Sequence, residues 1–98
     1  IYLNIMIRSF KHKDAEAIFE GRPTRRFKGI LAVAERKLQM LDVAKSIEDL
    51  KSPPGNHLEV LKGDRRGQYS IRINDKWRIC FRYEDGEVLD VEIVDYHH

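Results

Sequence analysis

Apolar side chains recur at helical spacing in the first half of the chain and at every second position in the last third. The helical stripe, with spacing i, i+3, i+4, i+7, i+11 and i+14, consists of Phe27, Ile30, Leu31, Ala34, Leu38 and Leu41. It predicts an amphipathic helix over residues 24–44 that packs into a core. A shorter helix is predicted over residues 15–20, with Asp14 as its N-cap and Gly21 at its end.

Alternating apolar and polar positions predict strands beyond the chain-breaking residues 52–56. A short helical turn, starting near Ser46, precedes this breaker. The predicted strands comprise residues 58–62, 68–74, 77–83 and 89–94, after a first strand at residues 6–10. The predicted order is therefore one strand, two or three helices, and then several strands.

The parity of the last two strands constrains the turn between them. Directly opposed residues share a face, so pairing Ile79 and Phe81 with the apolar set that begins at Leu89 requires an odd number of loop residues. We therefore predict a three-residue loop at residues 84–86, with Gly86 in the left-handed conformation of a bulge. The face opposite the core then carries Arg72, Arg78, Arg82 and Glu92, and Tyr96 if the strand continues.

Length and composition limit the class of protein. The 98 residues, of which 42% are hydrophobic, enclose one core. No apolar run approaches the roughly 20 residues that span a bilayer, and the single Cys80 forms no internal disulfide. No Cys/His cluster has metal-ligand spacing. We expect a cytoplasmic protein without metal, cofactor or membrane association, with an extension at residues 1–5 and one domain over residues 6–98.

Charge is distributed unevenly along the chain. Lys and Arg outnumber Asp and Glu by 11 to 7 over residues 1–51 and by 7 to 3 over residues 52–83, whereas residues 84–98 carry 6 acids and no Lys or Arg. The basic part favours an anionic partner, although an excess of this size is also typical of an ordinary solvated surface.

The C-terminal residues Asp95, Tyr96 and His97 combine groups suited to acid–base chemistry beside the arginine face. Histidine and tyrosine serve as general base and acid, and arginine stabilises charge on a phosphate. Such groups cleave RNA when a base activates the ribose 2′-OH and an acid protonates the departing 5′-oxygen. The alternative is a frayed polar end, which is common at chain termini.

The turn at residues 61–67 brings cations and glycines together between two strands. Glycine lets the backbone approach a ligand, and cations bind phosphates, so Lys62, Arg65 and Arg66 are candidates for RNA binding, together with Arg72 on the next strand. The alternative for the turn is a solvated hairpin in which Gly67 is required by its backbone angles.

The other polar and aromatic strand residues have structural alternatives. The strand arginines Arg72, Arg78 and Arg82 are also suited to cross-strand ion pairs with Asp90 and Glu92. Tyr69 and Trp77 share the core parity, and we predict that they pack in the core rather than stack on bases.

Four segments resemble one protein family in order and spacing: residues 6–13 (MIRSFKHK), 61–65 (LKGDR), 69–79 (YSIRINDKWRI) and 95–97 (DYH). They are similar to the HigB toxins of bacterial toxin–antitoxin pairs, within the RelE/ParE superfamily. The resemblance covers residues 6–97. It implies an α+β fold with a small, curved, mainly antiparallel sheet packed against two to three helices.

The resemblance also implies an activity. These toxins are ribosome-dependent, metal-independent endoribonucleases that cleave mRNA in the decoding site and are held inactive by a helix-turn-helix antitoxin of the HigA type. The family's terminal Asp-Tyr-His and its basic residues fall on Asp95, Tyr96, His97, Lys62, Arg65 and Arg78. Glu59 stands where several relatives carry an active-site histidine, and His57 lies two residues earlier, so either can be the catalytic base.

Two other functional classes remain open. One is a non-catalytic toxin of the same fold that binds and inhibits a protein such as DNA gyrase, as the ParE branch does. The other is a basic adaptor without toxicity, if the terminal residues have no role. The ending Tyr96-His97 favours the nuclease, because an inhibitor needs no acid–base groups at a basic groove.

Overall fold

One strand, two helices and four further strands follow one another along the chain, in the predicted order. The computed structural model describes residues 6–22, 24–25 and 27–95, so the proposed extension and Tyr96, His97 and His98 lie outside the described residues. The elements are β1 (Met6–Ile7), α1 (Lys13–Phe19), α2 (Leu31–Val43), β2 (Glu59–Val60), β3 (Gln68–Arg72), β4 (Trp77–Glu84) and β5 (Glu87–Asp95). No helix within the described ranges is long and apolar enough to cross a membrane.

The strands form one five-stranded sheet in the order β1-β5-β4-β3-β2. Only β1 runs parallel to its neighbour, and the other neighbouring pairs are antiparallel. Both helices pack on one face, where Leu38 and Leu41 of α2 join Ile71, Ile79 and Phe81 in a core from which water is fully excluded. The predicted α+β class, a mainly antiparallel sheet against two helices, is confirmed.

The first residues of the two helices differ from those predicted. The helix predicted over residues 24–44 is divided into a 3-10 turn at Lys28–Ile30 and the helix α2, and Gly29 lies in the turn, consistent with the low helix propensity of glycine. The apolar stripe itself is confirmed, since all its members except the partly buried Leu31 are buried. Asp14 is not the N-cap of α1, because the helix begins at Lys13 and its N-cap is His12. Asp14 therefore lies in the first turn of the helix.

The predicted three-residue loop between β4 and β5 is wrong. Glu84 pairs with Glu87, which leaves a two-residue loop of Asp85 and Gly86 with φ angles of 51° and 80°. Positive φ at both central residues is the signature of the type I′ turn that joins tightly paired strands. This register places Val88 in the core, rather than Leu89.

A β-bulge in β5 restores the predicted parity further along the strand. Asp90 and Val91 together oppose Phe81, and Asp90 has a φ of 54°. The residue that accommodates the bulge comes from the opposite end of the chain. Ser9 accepts hydrogen bonds from the Asp90 amide through Oγ (2.8 Å) and from the Val91 amide through its carbonyl (3.1 Å). Beyond the bulge, Val91 and Ile93 enter the core as expected.

Candidate active site

The sheet face away from the helices carries a row of four polar side chains, one from each of four strands. Direct register partners across β2, β3, β4 and β5 are Glu59, Ser70, Cys80 and Glu92. Ser70 and Cys80 are 0% exposed and Glu92 is 4% exposed. Neighbouring strands lie about 4.8 Å apart, so the row spans about 14 Å. We call this face, with the charged side chains over it, the polar face.

Arg78 is fixed at the β2 end of the polar face by several contacts. Its Nε donates a 2.8 Å hydrogen bond to Ser70 Oγ, and its Nη2 donates to the main-chain carbonyl of His57. The same Nη2 lies 3.4 Å from Glu59 Oε1, and the arginine side chain is only 11% exposed. The predicted placement of Arg78 away from the apolar core is confirmed, and the guanidinium is held close to a carboxylate.

Glu59 and His57 present different groups to Arg78. Glu59 Oε1 is buried and accepts no hydrogen bond from the described residues, although the ion pair places Arg78 Nη2 3.4 Å away, and 40% of the Glu59 side chain is exposed. His57 contributes its carbonyl to Arg78, adopts a left-handed conformation with a φ of 44°, and is exposed. The structure therefore brings the Glu59 carboxylate to the arginine.

Glu92 organises the opposite end of the polar face. Arg65 Nη1 donates a 2.9 Å hydrogen bond to Glu92 Oε2 and a 3.2 Å bond to Gln68 Oε1. Lys11 Nζ and His12 Nε2 lie 3.6 and 3.5 Å from the same carboxylate. A buried carboxylate requires a counter-charge, because desolvation makes an unpaired one costly, and the hydrogen-bonded Arg65 supplies it. This cluster was not predicted. Its signal in the sequence was a single acid, Glu92, within the otherwise apolar residues 91–94 of β5.

The turn that carries Arg65 is shaped by two glycines. Gly63 and Gly67 have φ angles of 65° and 91°, which confirms the backbone requirement predicted for Gly67. Lys62 and Arg66, on either side of the 3-10 turn, are exposed. The turn thus directs one cation onto the polar face and leaves two others at the surface.

The alternative role considered for the strand arginines, cross-strand ion pairs with Asp90 and Glu92, is not what the described residues show. Arg72 pairs with Asp75, and Arg82 pairs with Glu84, so both use acids close in sequence. Asp75 and Glu84 lie three and two residues from their arginines along the chain, which brings these carboxylates within ion-pair distance. Arg72 lies at the end of β3, next to Arg78 in the register.

Cys80 lies in the middle of the polar row, and its thiol is protonated. Burial raises its pKa to about 11, and the positive charges of Arg65 and Arg78 only partly oppose this effect. A neutral buried thiol is a poor nucleophile. Within the described ranges, no group of three His, Cys, Asp or Glu side chains is placed to hold a metal ion.

Of the remaining predicted site residues, the structure describes Asp95, the last residue of β5. Asp95 is paired with Trp77 in the register and lies 3.9 Å from Lys76 Nζ. Tyr96 and His97 lie outside the described residues. The aromatic residues pack as predicted: Trp77 meets Phe27 edge to face at 5.1 Å, and Tyr69 stacks on Phe81 at 6.0 Å between ring centroids.

The fold is similar to that of solved YoeB structures. The YoeB dimer from Staphylococcus aureus is similar over 100% of both chains, with a TM-score of 0.56 and 21% sequence identity. A chain of the heterotetrameric YoeB–YefM toxin–antitoxin complex from the same organism gives the same TM-score, identity and coverage. At this identity the likeness establishes the fold alone.

Sequence comparison identifies the family. Residues 8–97 match the HigB-like toxins, described as RelE-like toxins of the type II toxin–antitoxin system HigB. Toxin HigB-1 of Vibrio cholerae is 38% identical over 87 residues, which are 87% of this chain and 92% of that protein. Endoribonuclease HigB of Proteus vulgaris is 36% identical over 96 residues, which are 94% of this chain and 100% of that protein. The chain belongs to the HigB family of RelE-like toxins.

Proposed function

We propose that this toxin cleaves mRNA on the ribosome at the β2 end of the polar face. The enzyme class is endoribonuclease, in line with the similarity to the Proteus vulgaris enzyme over that enzyme's whole length. The observation that carries the location is the Arg78–Glu59 pair, in which a largely buried guanidinium lies 3.4 Å from a carboxylate oxygen. The residues assigned to catalysis are Glu59, Arg78, Asp95, Tyr96 and His97, and those assigned to RNA binding are Lys62, Arg65, Arg66 and Arg72.

The proposed reaction needs only protein side chains as acid and base. A base takes the proton of a ribose 2′-OH, and the oxygen forms a bond to the adjacent phosphorus while the bond from phosphorus to the 5′-oxygen breaks. An acid protonates the departing 5′-oxygen, which leaves a cyclic phosphate and a 5′-hydroxyl end. We assign the base to Glu59 rather than His57, since the partly exposed Glu59 side chain places its carboxylate beside Arg78, whereas His57 contacts Arg78 only through its main-chain carbonyl.

Arg78 and the terminal residues complete the assignment. Arg78 is positioned to stabilise negative charge as the phosphorus becomes five-coordinate. Because Val94 pairs with Arg78, continued alternation along β5 would bring Tyr96 to the same face. Tyr96 then supplies the acid, and Asp95 and His97, which alternation does not bring to this face, are assigned to catalysis from the family resemblance. This agrees with the roles that the family resemblance implies for the terminal Asp-Tyr-His.

The proposed partners follow from the size of the chain and from its family. A domain of 98 residues offers little surface to bind and orient RNA alone, so the ribosome positions the substrate and the reaction takes place in the cytoplasm. An antitoxin holds the enzyme inactive, and we propose that it is a helix-turn-helix protein of the HigA type. The alternative of a gyrase-inhibiting toxin is not favoured, because the full-length relative is an endoribonuclease.

Expression in a bacterial host tests this proposal. We expect growth arrest, relief by the helix-turn-helix protein encoded next to the toxin, and new mRNA ends by primer extension. Purified protein should cut mRNA in translating ribosomes and leave the same mRNA intact when it is free. Harmless accumulation of folded protein with intact mRNA would overturn the proposal.

A further inference from the structure

The segment Lys11-His12 lies on the polar face but has no place in the proposed reaction. Its position is set by main-chain bonds that extend β1 along β5. The Arg8 amide donates to the Val88 carbonyl (2.7 Å), and the Lys11 amide donates to the Val91 carbonyl (2.9 Å). These bonds fix Lys11 and His12 beside Glu92, at the end of the polar face opposite Glu59.

The cations around Glu92 outnumber the charge that they face. Arg65 meets the Glu92 carboxylate with a 2.9 Å hydrogen bond and can neutralise it alone. Lys11 at 3.6 Å and His12 at 3.5 Å are beyond the usual hydrogen-bond distance, and both side chains are half exposed. The Lys11 and His12 groups lie mostly in solvent, so each contact adds little to the stabilisation that Arg65 already gives to Glu92 and leaves most of the basic side chain accessible.

We propose that Lys11 and His12, together with Arg65, form a phosphate-binding subsite for the RNA backbone. This inference rests on the proposed function and extends it. Glu92 holds Arg65 in place, while the half-exposed Lys11 and His12 side chains approach Glu92 without a hydrogen bond and can donate to a ligand in solvent. The subsite lies about 14 Å from Glu59, three strand spacings away, so it binds a phosphate other than the one that is cleaved.

Two RNA molecules can supply that phosphate, the mRNA substrate or the ribosomal RNA around it. The chemistry is the same: a phosphodiester accepts hydrogen bonds and attracts positive charge. Each contact of this kind with single-stranded RNA contributes about 0.7 to the slope of log affinity against log salt. The subsite therefore predicts a measurable salt signature for Lys11.

The test uses the full chain with three substitutions and translating ribosomes. Lys11→Gln removes the charge, Lys11→Arg keeps it, and Lys51→Gln removes an equivalent charge elsewhere. Lys51 is a matched control, since its side chain is 62% exposed and forms one ion pair with Glu48 at 3.0 Å. Cleavage is measured under single-turnover conditions at salt concentrations from about 50 to about 200 mM. Over this range the loss of affinity caused by counterion release is large enough to measure.

We expect Lys11→Gln to raise the ribosome concentration at half-saturation by about threefold and to change the maximal cleavage rate by less than this. The slope of log affinity against log salt should become smaller in magnitude by about 0.7. Lys11→Arg should restore both values, and adding His12→Gln to Lys11→Gln should weaken binding further. Lys51→Gln should match the unchanged protein. If Lys11→Gln behaves like Lys51→Gln in affinity and salt slope, the subsite is wrong.

Binding experiments distinguish the two sources of phosphate. Loss of affinity for ribosomes without mRNA assigns the phosphate to ribosomal RNA, whereas a loss seen only with mRNA in place assigns it to the substrate. Because binding is measured without cleavage, this arm also separates the two proposals. An unchanged protein that binds ribosomes but cuts no mRNA overturns the proposed function, and a Lys11→Gln variant that binds like Lys51→Gln overturns the subsite.

Discussion

Nη2 of Arg78 lies 3.4 Å from Oε1 of Glu59, although the two residues belong to strands separated by β3. The guanidinium reaches across β3 over Ser70, which accepts a hydrogen bond from its Nε. The contacts that place the arginine beside the carboxylate therefore also tie three strands together. Arg78 serves both the proposed chemistry and the fold.

Replacing Arg78 is expected to affect both properties. Arg78→Ala leaves the Ser70 hydroxyl and the Glu59 carboxylate without their partner, so the free energy of unfolding should fall by about 1–3 kcal/mol. The single-turnover cleavage rate of the folded protein should fall by about 100-fold or more. Urea unfolding and ribosome assays measure the two effects.

Ser70→Ala is the control variant. It should lower the free energy of unfolding by about 1 kcal/mol and reduce cleavage much less than Arg78→Ala does, because the guanidinium remains. Full activity of folded Arg78→Ala would contradict the catalytic role.

Substitutions at Glu59 and His57 distinguish the two candidate bases. Glu59→Gln keeps the shape of the side chain but removes the base, and we expect single-turnover cleavage to fall by about 100- to 10,000-fold. His57→Gln keeps the carbonyl that binds Arg78, so its rate should stay close to that of the unchanged protein. The reverse order of the two rates would assign the base to His57.

The terminal residues are tested by a pair of small changes. Tyr96→Phe removes one hydroxyl and keeps the ring, so it should slow cleavage by about 100- to 10,000-fold without loss of binding. His97→Ala should have an effect of similar size, and deletion of His98 should be nearly silent. Equal rates for Tyr96→Phe and the His98 deletion would show that the end of the chain has no catalytic role.

The buried amine of Lys37 predicts a pH dependence of stability. Lys37 is 6% exposed and donates a hydrogen bond to the fully buried Asn56. Burial, and then the charges of Arg36 and Arg72, hold its pKa below the usual value of 10.5. Between the lowered pKa and 10.5 the unfolded chain binds more protons than the folded chain, so stability from this group rises with pH.

Lys37→Met isolates this effect in urea unfolding. The free energy of unfolding of the unchanged protein should rise relative to that of Lys37→Met as the pH increases towards 10.5. Below the lowered pKa, the difference between the two proteins should be independent of pH. A difference that shrinks with increasing pH would contradict the assignment.

The bulge at Asp90 predicts an unusual tolerance for glycine in a strand. With a φ of 54°, Asp90 occupies a region that glycine and asparagine adopt easily and β-branched residues do not. Asp90→Gly and Asp90→Asn should keep the stability of the fold, whereas Asp90→Val should lower it by about 1–2 kcal/mol. Thermal unfolding of the three variants measures this. Equal stability of all three would mean that the bulge is not retained in solution.

The sequence by itself determined the features that depend on local periodicity. The stripe from Phe27 to Leu41 predicted the buried helix face, and alternation along β3 and β4 predicted which residues enter the core. The resemblance of four segments predicted the family and nominated Glu59, Arg78 and Asp95 for the site. The predictions of the buried helix face and of the core residues in β3 and β4 are confirmed, because the helical and strand periods are set by the backbone, whereas the site residues remain proposals.

Only the tertiary structure decided the features that depend on distant contacts. The bulge at Asp90, which returns β5 to its core parity, is hydrogen-bonded by Ser9, 81 residues earlier. Glu92 pairs with Arg65 and Lys11 and not with the strand arginines. The turn after β2 carries Arg65, and the segment after β1 carries Lys11, and both bring their cations closer to Glu92 than the strand arginines are. Ion-pair partners follow distance and burial in the folded chain, and neither is encoded in the alternation of a strand.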